Sequence, residues 1–115
     1  MAQSTIFEKF LNKEIPCKPV YEDDFTFAFY DIQPQAPVHI LIIPKKKFVN
    51  VNDLEEDDAH YVGKILVAAK KIASLLKVTE SGYRLVFNNG EHAGQSVFYM
   101  HCHFLAGRDF SWPPG

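Results

Sequence analysis

Apolar and polar positions along this chain follow two periods, and each change of period marks an element. Thr5 and Glu8 have the spacing of a capping box, and Ile6, Phe7, Phe10 and Leu11 follow one face, so a short first helix is predicted. In "FTFAFYDI" (25–32) Phe25, Phe27 and Phe29 fall on alternate positions, the signature of a half-buried strand. "DIQPQAP" (31–37) carries two prolines and reads as a turn or loop before "VHILIIP" (38–44), a strand-length aliphatic run stopped at Pro44. The acidic stretch 53–58 precedes a long helical pattern carried by Tyr61, Ile65, Ala68, Ala69, Ile72 and Leu76, which is expected to end at Gly82. Lys70, Lys71 and Lys77 suit its negative end. "YRLVF" (83–87) resumes a strand period, "NNGEHAGQ" (88–95) is a turn-rich loop, and "SVFYMHCHFLAG" (96–107) reads as one long final strand. The tail "SWPPG" is excluded from a helix by its adjacent prolines.

The predicted order is α-β-β-α-β-β. Strands joined by loops and segregated from two helices give an α+β layer fold with a mainly antiparallel sheet. At 115 residues the chain suits a single domain, 1–115. Its formal charge of -2 offers no positive field for a polyphosphate backbone, so nucleic acid is not an expected partner. Cys17 and Cys102 are too few for a disulfide framework or a four-thiolate zinc site. No apolar run approaches the roughly 18–20 residues of a membrane span, and Glu8 and Lys9 interrupt any signal-peptide core. A cytoplasmic protein is expected, and a nuclear location is compatible with the same features.

The final strand carries the chemistry. Alternation puts Phe98, Met100, Cys102 and Phe104 on one face and Tyr99, His101, His103 and Leu105 on the other. Two imidazoles then stand side by side, roughly 7 Å apart at twice the strand rise. A solvent-exposed face that happens to carry histidines satisfies the spacing. So does a metal site, with His39 or His92 completing the set, since His-x-His on a strand supplies two zinc ligands. So does nucleophilic catalysis, in which one neutral imidazole attacks phosphorus and the other donates a proton or a hydrogen bond. The neighbouring loop adds Gly90 and Gly94 for close ligand approach, with Asn88, Asn89, Gln95 and Ser96 as hydrogen-bonding groups.

Here the sequence resembles the histidine triad (HIT) family, and within it the Hint branch of nucleotide-binding phosphoramidases. The family motif alternates three histidines with apolar residues. In "YMHCHFL" the second and third are kept as His101 and His103, and Tyr99 stands where the first would be. The similarity extends over "TIFEKFLNKEIP", "FAFYDIQPQAPVHILIIPKK", "GQSVFYMHCHFLAGR" and the closing "WPPG", nearly the whole chain. The resemblance implies a HIT fold whose sheet continues across a homodimer. It implies His101 as the nucleophile, His103 as a contact to the phosphate or leaving group, and His39 as a buried organising histidine. Asn88, Gly94, Gln95 and Ser96 fall where the family holds phosphate and orders the motif strand. Asp31 matches the ribose ligand, and Ile6, Phe7, Phe10, Phe29, Tyr30 and Ile32 would line a purine pocket.

Without the resemblance, Asp31 reads as a turn residue, the aromatic set as ordinary core and His39 as a satisfied core histidine. With it, the expected activity is hydrolysis of purine nucleoside phosphoramidates through a nucleotidyl-histidine, with Ser96 helping to stabilise phosphate charge. Neither metal nor other cofactor is expected. The partners are a purine nucleotide and a second copy of the chain. Two alternatives stand: a non-catalytic purine nucleotide-binding protein, made credible by Tyr99, and a dinucleoside polyphosphate hydrolase.

Overall fold

The aliphatic run 38–44 forms the centre of the molecule. In the computed structural model, which describes residues 4–115, it becomes strand β3 (Val38–Pro44), buried from His39 onward. Around it lie β1 (Pro19–Glu22), β2 (Thr26–Tyr30), β4 (Tyr83–Phe87) and β5 (Cys102–Ala106), in the order β1-β2-β3-β5-β4 with every pairing antiparallel. Helices α1 (Ile6–Leu11) and α2 (Ala59–Leu75) pack on opposite faces of this sheet. The α+β class and the antiparallel sheet stand as expected.

Alternation along β3 and β5 divides two cores. Ile40, Ile42, Cys102, Phe104 and Ala106 meet Ile65, Ala68, Ala69, Ile72 and Ala73 of α2. The other face sets Phe27, Phe29, Leu41 and Ile43 against Phe7 and Phe10 of α1, with Tyr99 among them. Glu8 Oε1 accepts the backbone N–H of Thr5 at 2.9 Å, which is the Glu8 half of the predicted capping box. The Thr5 hydroxyl is buried without a partner.

Three expectations change. First, β1 was not anticipated: "PVYE" is too short to show a period, and its pairing with β2 defines it. Second, α2 ends at Leu75 rather than at Gly82. The Val78 N–H bonds the Ala73 carbonyl at 2.9 Å and the Lys77 N–H bonds the Ser74 carbonyl at 3.2 Å, a Schellman closure with Lys77 at φ 60°. Lys77 therefore follows the helix, whose last turn carries no basic residue. Third, the final strand is short. Residues 96–101 approach the sheet without joining its ladder, and Phe98 is 58 % exposed rather than core. The Met100 N–H bonds the Phe48 carbonyl at 2.6 Å, outside the sheet, and the ladder begins at Cys102. Among the described residues no helix is long and apolar enough to cross a membrane.

Candidate active site

The sheet register brings the histidines together. His39 opposes Leu105 and His103 opposes Leu41, so the two histidines are diagonal neighbours on the α1 face. Their rings lie 5.2 Å apart, and the His39 Nε2 is 2.9 Å from the His103 Nδ1. His101 precedes β5, yet its side chain keeps the same phase, with its ring 4.8 Å from that of His103 and 5.0 Å from that of Phe7. These separations are shorter than the spacing along an ideal strand because the side chains lean toward each other.

The surrounding hydrogen bonds assign the protons. A carbonyl can only accept, so the 2.7 Å contact between His101 Nδ1 and the Tyr99 carbonyl places the proton on Nδ1 and leaves Nε2 a lone pair. A backbone N–H can only donate, so the Gln35 N–H, 2.9 Å from His39 Nδ1, leaves that nitrogen unprotonated. The neutral His39 ring then carries its proton on Nε2 and donates it to His103 Nδ1. His103 in turn keeps its own proton on Nε2. Burial pushes all three pKa values below the ordinary imidazole range. For His103, burial and then the neighbouring His101 and His39 depress it to about 4, against the weaker upward pull of Asp31. All three rings are neutral at pH 7, and His101 presents an unprotonated nitrogen.

These groups face a cavity of about 380 Å³, within the range of small-ligand sites. All six residues expected to hold a base, Ile6, Phe7, Phe10, Phe29, Tyr30 and Ile32, line it, together with Asp31, His39, Ser96, His101 and His103. Phe7, Phe10 and Phe29 are buried and form the rigid wall, whereas Ile32 is 82 % exposed at the mouth. Asp31 follows β2; its Oδ1 accepts the Gln33 N–H at 2.8 Å, and its Oδ2 lies 3.4 Å from His39 Nε2. Among the described residues no backbone–backbone hydrogen bond uses the N–H of Ser96 or Val97, two residues that line the cavity.

Three expected site residues do not line the cavity. Asn88 lies at the end of β4 and makes no contact with it. Gly94 spends its N–H on the Glu91 carbonyl at 3.0 Å. Gln95 is buried with its side chain committed: Nε2 donates to the Val49 and Val97 carbonyls, and Oε1 accepts from the Gly90 N–H and from Asn50. A side-chain amide with every bond spent on protein orders the loop and has nothing left for phosphate. Conversely, Gln33, Gln35, Leu41 and Val97 line the cavity without having been singled out from the sequence. The signal available was two glutamines in the proline loop directly after Asp31.

Tyr99 also differs from expectation. Its side chain is buried beneath α1 and its hydroxyl donates to the Pro44 carbonyl at 2.5 Å, so it turns away from both histidines. Burial raises its pKa. The orienting contact to His101 comes from the backbone carbonyl of residue 99, which any amino acid supplies.

Asp31, His39 and His103 bring three ligand atoms within 4.8 Å, a different set from the His101-centred one anticipated. His92 sits apart on the exposed turn Glu91–Ala93. For His39 to ligate through Nε2 it must move its proton to Nδ1, and that requires giving up the Gln35 bond. The donor set therefore fits a proton-ordered hydrogen-bond chain better than a cation.

The family profile for the HIT domain matches residues 12–110. The chain is 49% identical to an uncharacterized HIT-like protein of Synechocystis over 115 residues, 100% of both chains. It is 46% identical to a purine nucleoside phosphoramidase of Escherichia coli over 108 residues, 94% of this chain and 91% of that one. Among solved structures, a HIT family hydrolase from Legionella pneumophila superposes with a TM-score of 0.94 at 47% identity, covering 97% of this chain and 100% of the other.

Proposed function

This chain belongs to the HIT domain family, and on that premise we propose that it is a hydrolase of purine nucleoside phosphoramidates acting through a nucleotidyl-histidine. The observation that carries this reading is the tautomer of His101: Nδ1–H is held by the Tyr99 carbonyl, which leaves Nε2 a lone pair on a ring that lines the cavity. Attack of Nε2 on phosphorus forms the N–P bond, and the bond to the amine breaks as the leaving nitrogen takes up a proton from solvent, while His101 keeps its Nδ1 proton. The positive charge growing on the imidazole is opposed by the Tyr99 carbonyl dipole. Negative charge on the phosphoryl oxygens is met by His103 Nε2–H, by the Ser96 and Val97 N–H groups and by the Ser96 hydroxyl. Water then attacks phosphorus and breaks the N–P bond of the nucleotidyl-histidine, releasing the nucleoside monophosphate and a proton and restoring the neutral ring.

The aromatic wall suits a flat base, and the Asp31 carboxylate, which lines the same cavity, would accept the ribose hydroxyls. The similarity to the Escherichia coli phosphoramidase supports this substrate class. A second copy of the chain is the expected partner, through the free edge of β4 and the exposed Leu66 and Val67 of α2; light scattering reads the stoichiometry.

The test is turnover of a fluorogenic adenosine phosphoramidate by wild type and His101→Ala. The variant is expected to lose at least about 10³-fold in kcat while still binding adenosine monophosphate. Wild-type turnover in His101→Ala removes the nucleophile assignment. Tight monophosphate binding with no turnover in the wild type favours a non-catalytic binder.

A further inference from the structure

The proton order of the histidine chain starts from one backbone group, the Gln35 N–H, which lies in a loop between two prolines. Something must hold that loop in place, because an exposed peptide beside water is otherwise free to rotate away from His39. Two contacts from the exit of β5 do so. Arg108 Nη2 donates to the Gln35 carbonyl at 3.1 Å. One residue earlier, Gly107 turns at φ 95° so close to Pro37 that a Cβ would lie 2.8 Å from the Pro37 Cβ. The arginine is itself fixed: its guanidinium stacks 4.2 Å from the Phe110 ring, and its Nη1 donates to the Asp109 carbonyl at 2.9 Å. Arg84 of β4 holds the same tail from the other side, 5.2 Å from the Phe110 ring and bonded to the Ser111 carbonyl at 2.9 Å.

We propose that Arg108 is a positioning residue: with Gly107 it clamps the 33–37 loop so that the Gln35 N–H stays on His39 Nδ1, which fixes the proton of His39 toward His103 and that of His103 toward the substrate. Arg108 does not touch the ligand; it acts through Gln35. The inference rests on the phosphoramidase reading for its consequence in turnover, and on geometry alone for its consequence in the proton order. Four groups define the setting of His39: the Gln35 N–H from the loop, Asp31 from the end of β2, and His101 and His103 from the C-terminal segment. Releasing the loop opens Nδ1 to solvent, and a second proton can then bind beside Asp31. His39 should consequently titrate at higher pH once the clamp is broken.

The direct measurement is nitrogen-15 NMR of the histidine rings in the intact protein across pH 5–8, on wild type, Arg108→Gln, Arg108→Lys and Gly107→Ala. In the wild type His39 should show a bare Nδ1 and a protonated Nε2 at neutral pH and titrate below the ordinary imidazole range. In Arg108→Gln, the bare Nδ1 signal should shift toward the protonated form as pH falls. Arg108→Lys keeps the charge and one donor but not the planar stack, and should lie between the two. Gly107→Ala keeps the arginine and its charge, so a similar change there assigns the effect to loop position and not to lost positive charge. Should it fail to fold, the comparison of Gln with Lys still stands. With a fluorogenic adenosine phosphoramidate, Arg108→Gln should lower kcat about fivefold, the equivalent of roughly 1 kcal/mol, with KM nearly unchanged. An identical His39 spectrum in Arg108→Gln and wild type overturns the inference whatever the turnover. A wild type without turnover would defeat the phosphoramidase reading and leave the NMR result to judge the clamp.

Discussion

Replacing Tyr99 by phenylalanine separates two roles that position 99 could play. Its ring packs under α1, 6.1 Å from that of Phe7, with 1 % of the residue exposed, and its hydroxyl bonds the Pro44 carbonyl. Phenylalanine keeps the ring and removes that one donor, leaving a buried carbonyl without it. An unsatisfied buried polar group costs about 1–3 kcal/mol. At about 4 °C per kcal/mol for a chain of this length, the melting temperature should fall by roughly 4–12 °C, compared at one protein concentration. Turnover should stay within about threefold of wild type, since the carbonyl of residue 99 still holds His101 Nδ1. Calorimetry and the fluorogenic assay on the same preparation read both quantities. Tyr99→His, which restores the family motif, should likewise change turnover modestly, by far less than His101→Ala, and it adds a smaller ring in a tight aromatic cluster. A large loss of turnover in Tyr99→Phe with unchanged stability would refute the argument, because the hydroxyl would then be serving the histidines. Activity appearing in Tyr99→His when the natural chain has none would make the natural chain a binder.

Two further outcomes follow from the same geometry. Asp31→Ala should weaken adenosine monophosphate binding by about 1.5–3 kcal/mol, the worth of hydrogen bonds to a charged group, and should bind a nucleotide lacking ribose hydroxyls no worse than wild type does; equal affinity of wild type and variant for adenosine monophosphate in calorimetric titration discards the ribose role. Stability should fall as pH drops below about 6.5, because the unfolded chain then binds protons that the buried neutral histidines refuse; the loss continues until pH passes below the folded values. With His103 at about 4, that ring contributes at most about 2 kcal/mol by pH 5, less where solvent screens its exposed part. Urea unfolding at pH 7.5 and pH 5 measures it, and His103→Asn should flatten the difference.

Much of this molecule was legible in its sequence because the information is local. Side chains alternate along any strand, so Met100, Cys102 and Phe104 could be assigned to one face and Tyr99, His101 and His103 to the other before their partners were known. The same parity kept His101 and His103 in phase even though the ladder begins only at Cys102. The spacing of apolar residues from Tyr61 to Leu76 sufficed for α2. The family resemblance singled out Ile6, Phe7, Phe10, Phe29, Tyr30 and Ile32 with Asp31, His39, His101 and His103, all of which line one cavity. Tertiary structure decided what depends on distance through space. Tyr99 shared the phase of the histidines, yet its hydroxyl reached a strand-end carbonyl 55 positions away along the chain. Gln95 read as a ligand donor and spent its amide joining two loops. The protonation of His39 and His103 was set by a peptide N–H and by the β3–β5 register. A ring's tautomer is fixed by whichever donor or acceptor folding places against each nitrogen, and neither the residue type nor its spacing contains that choice.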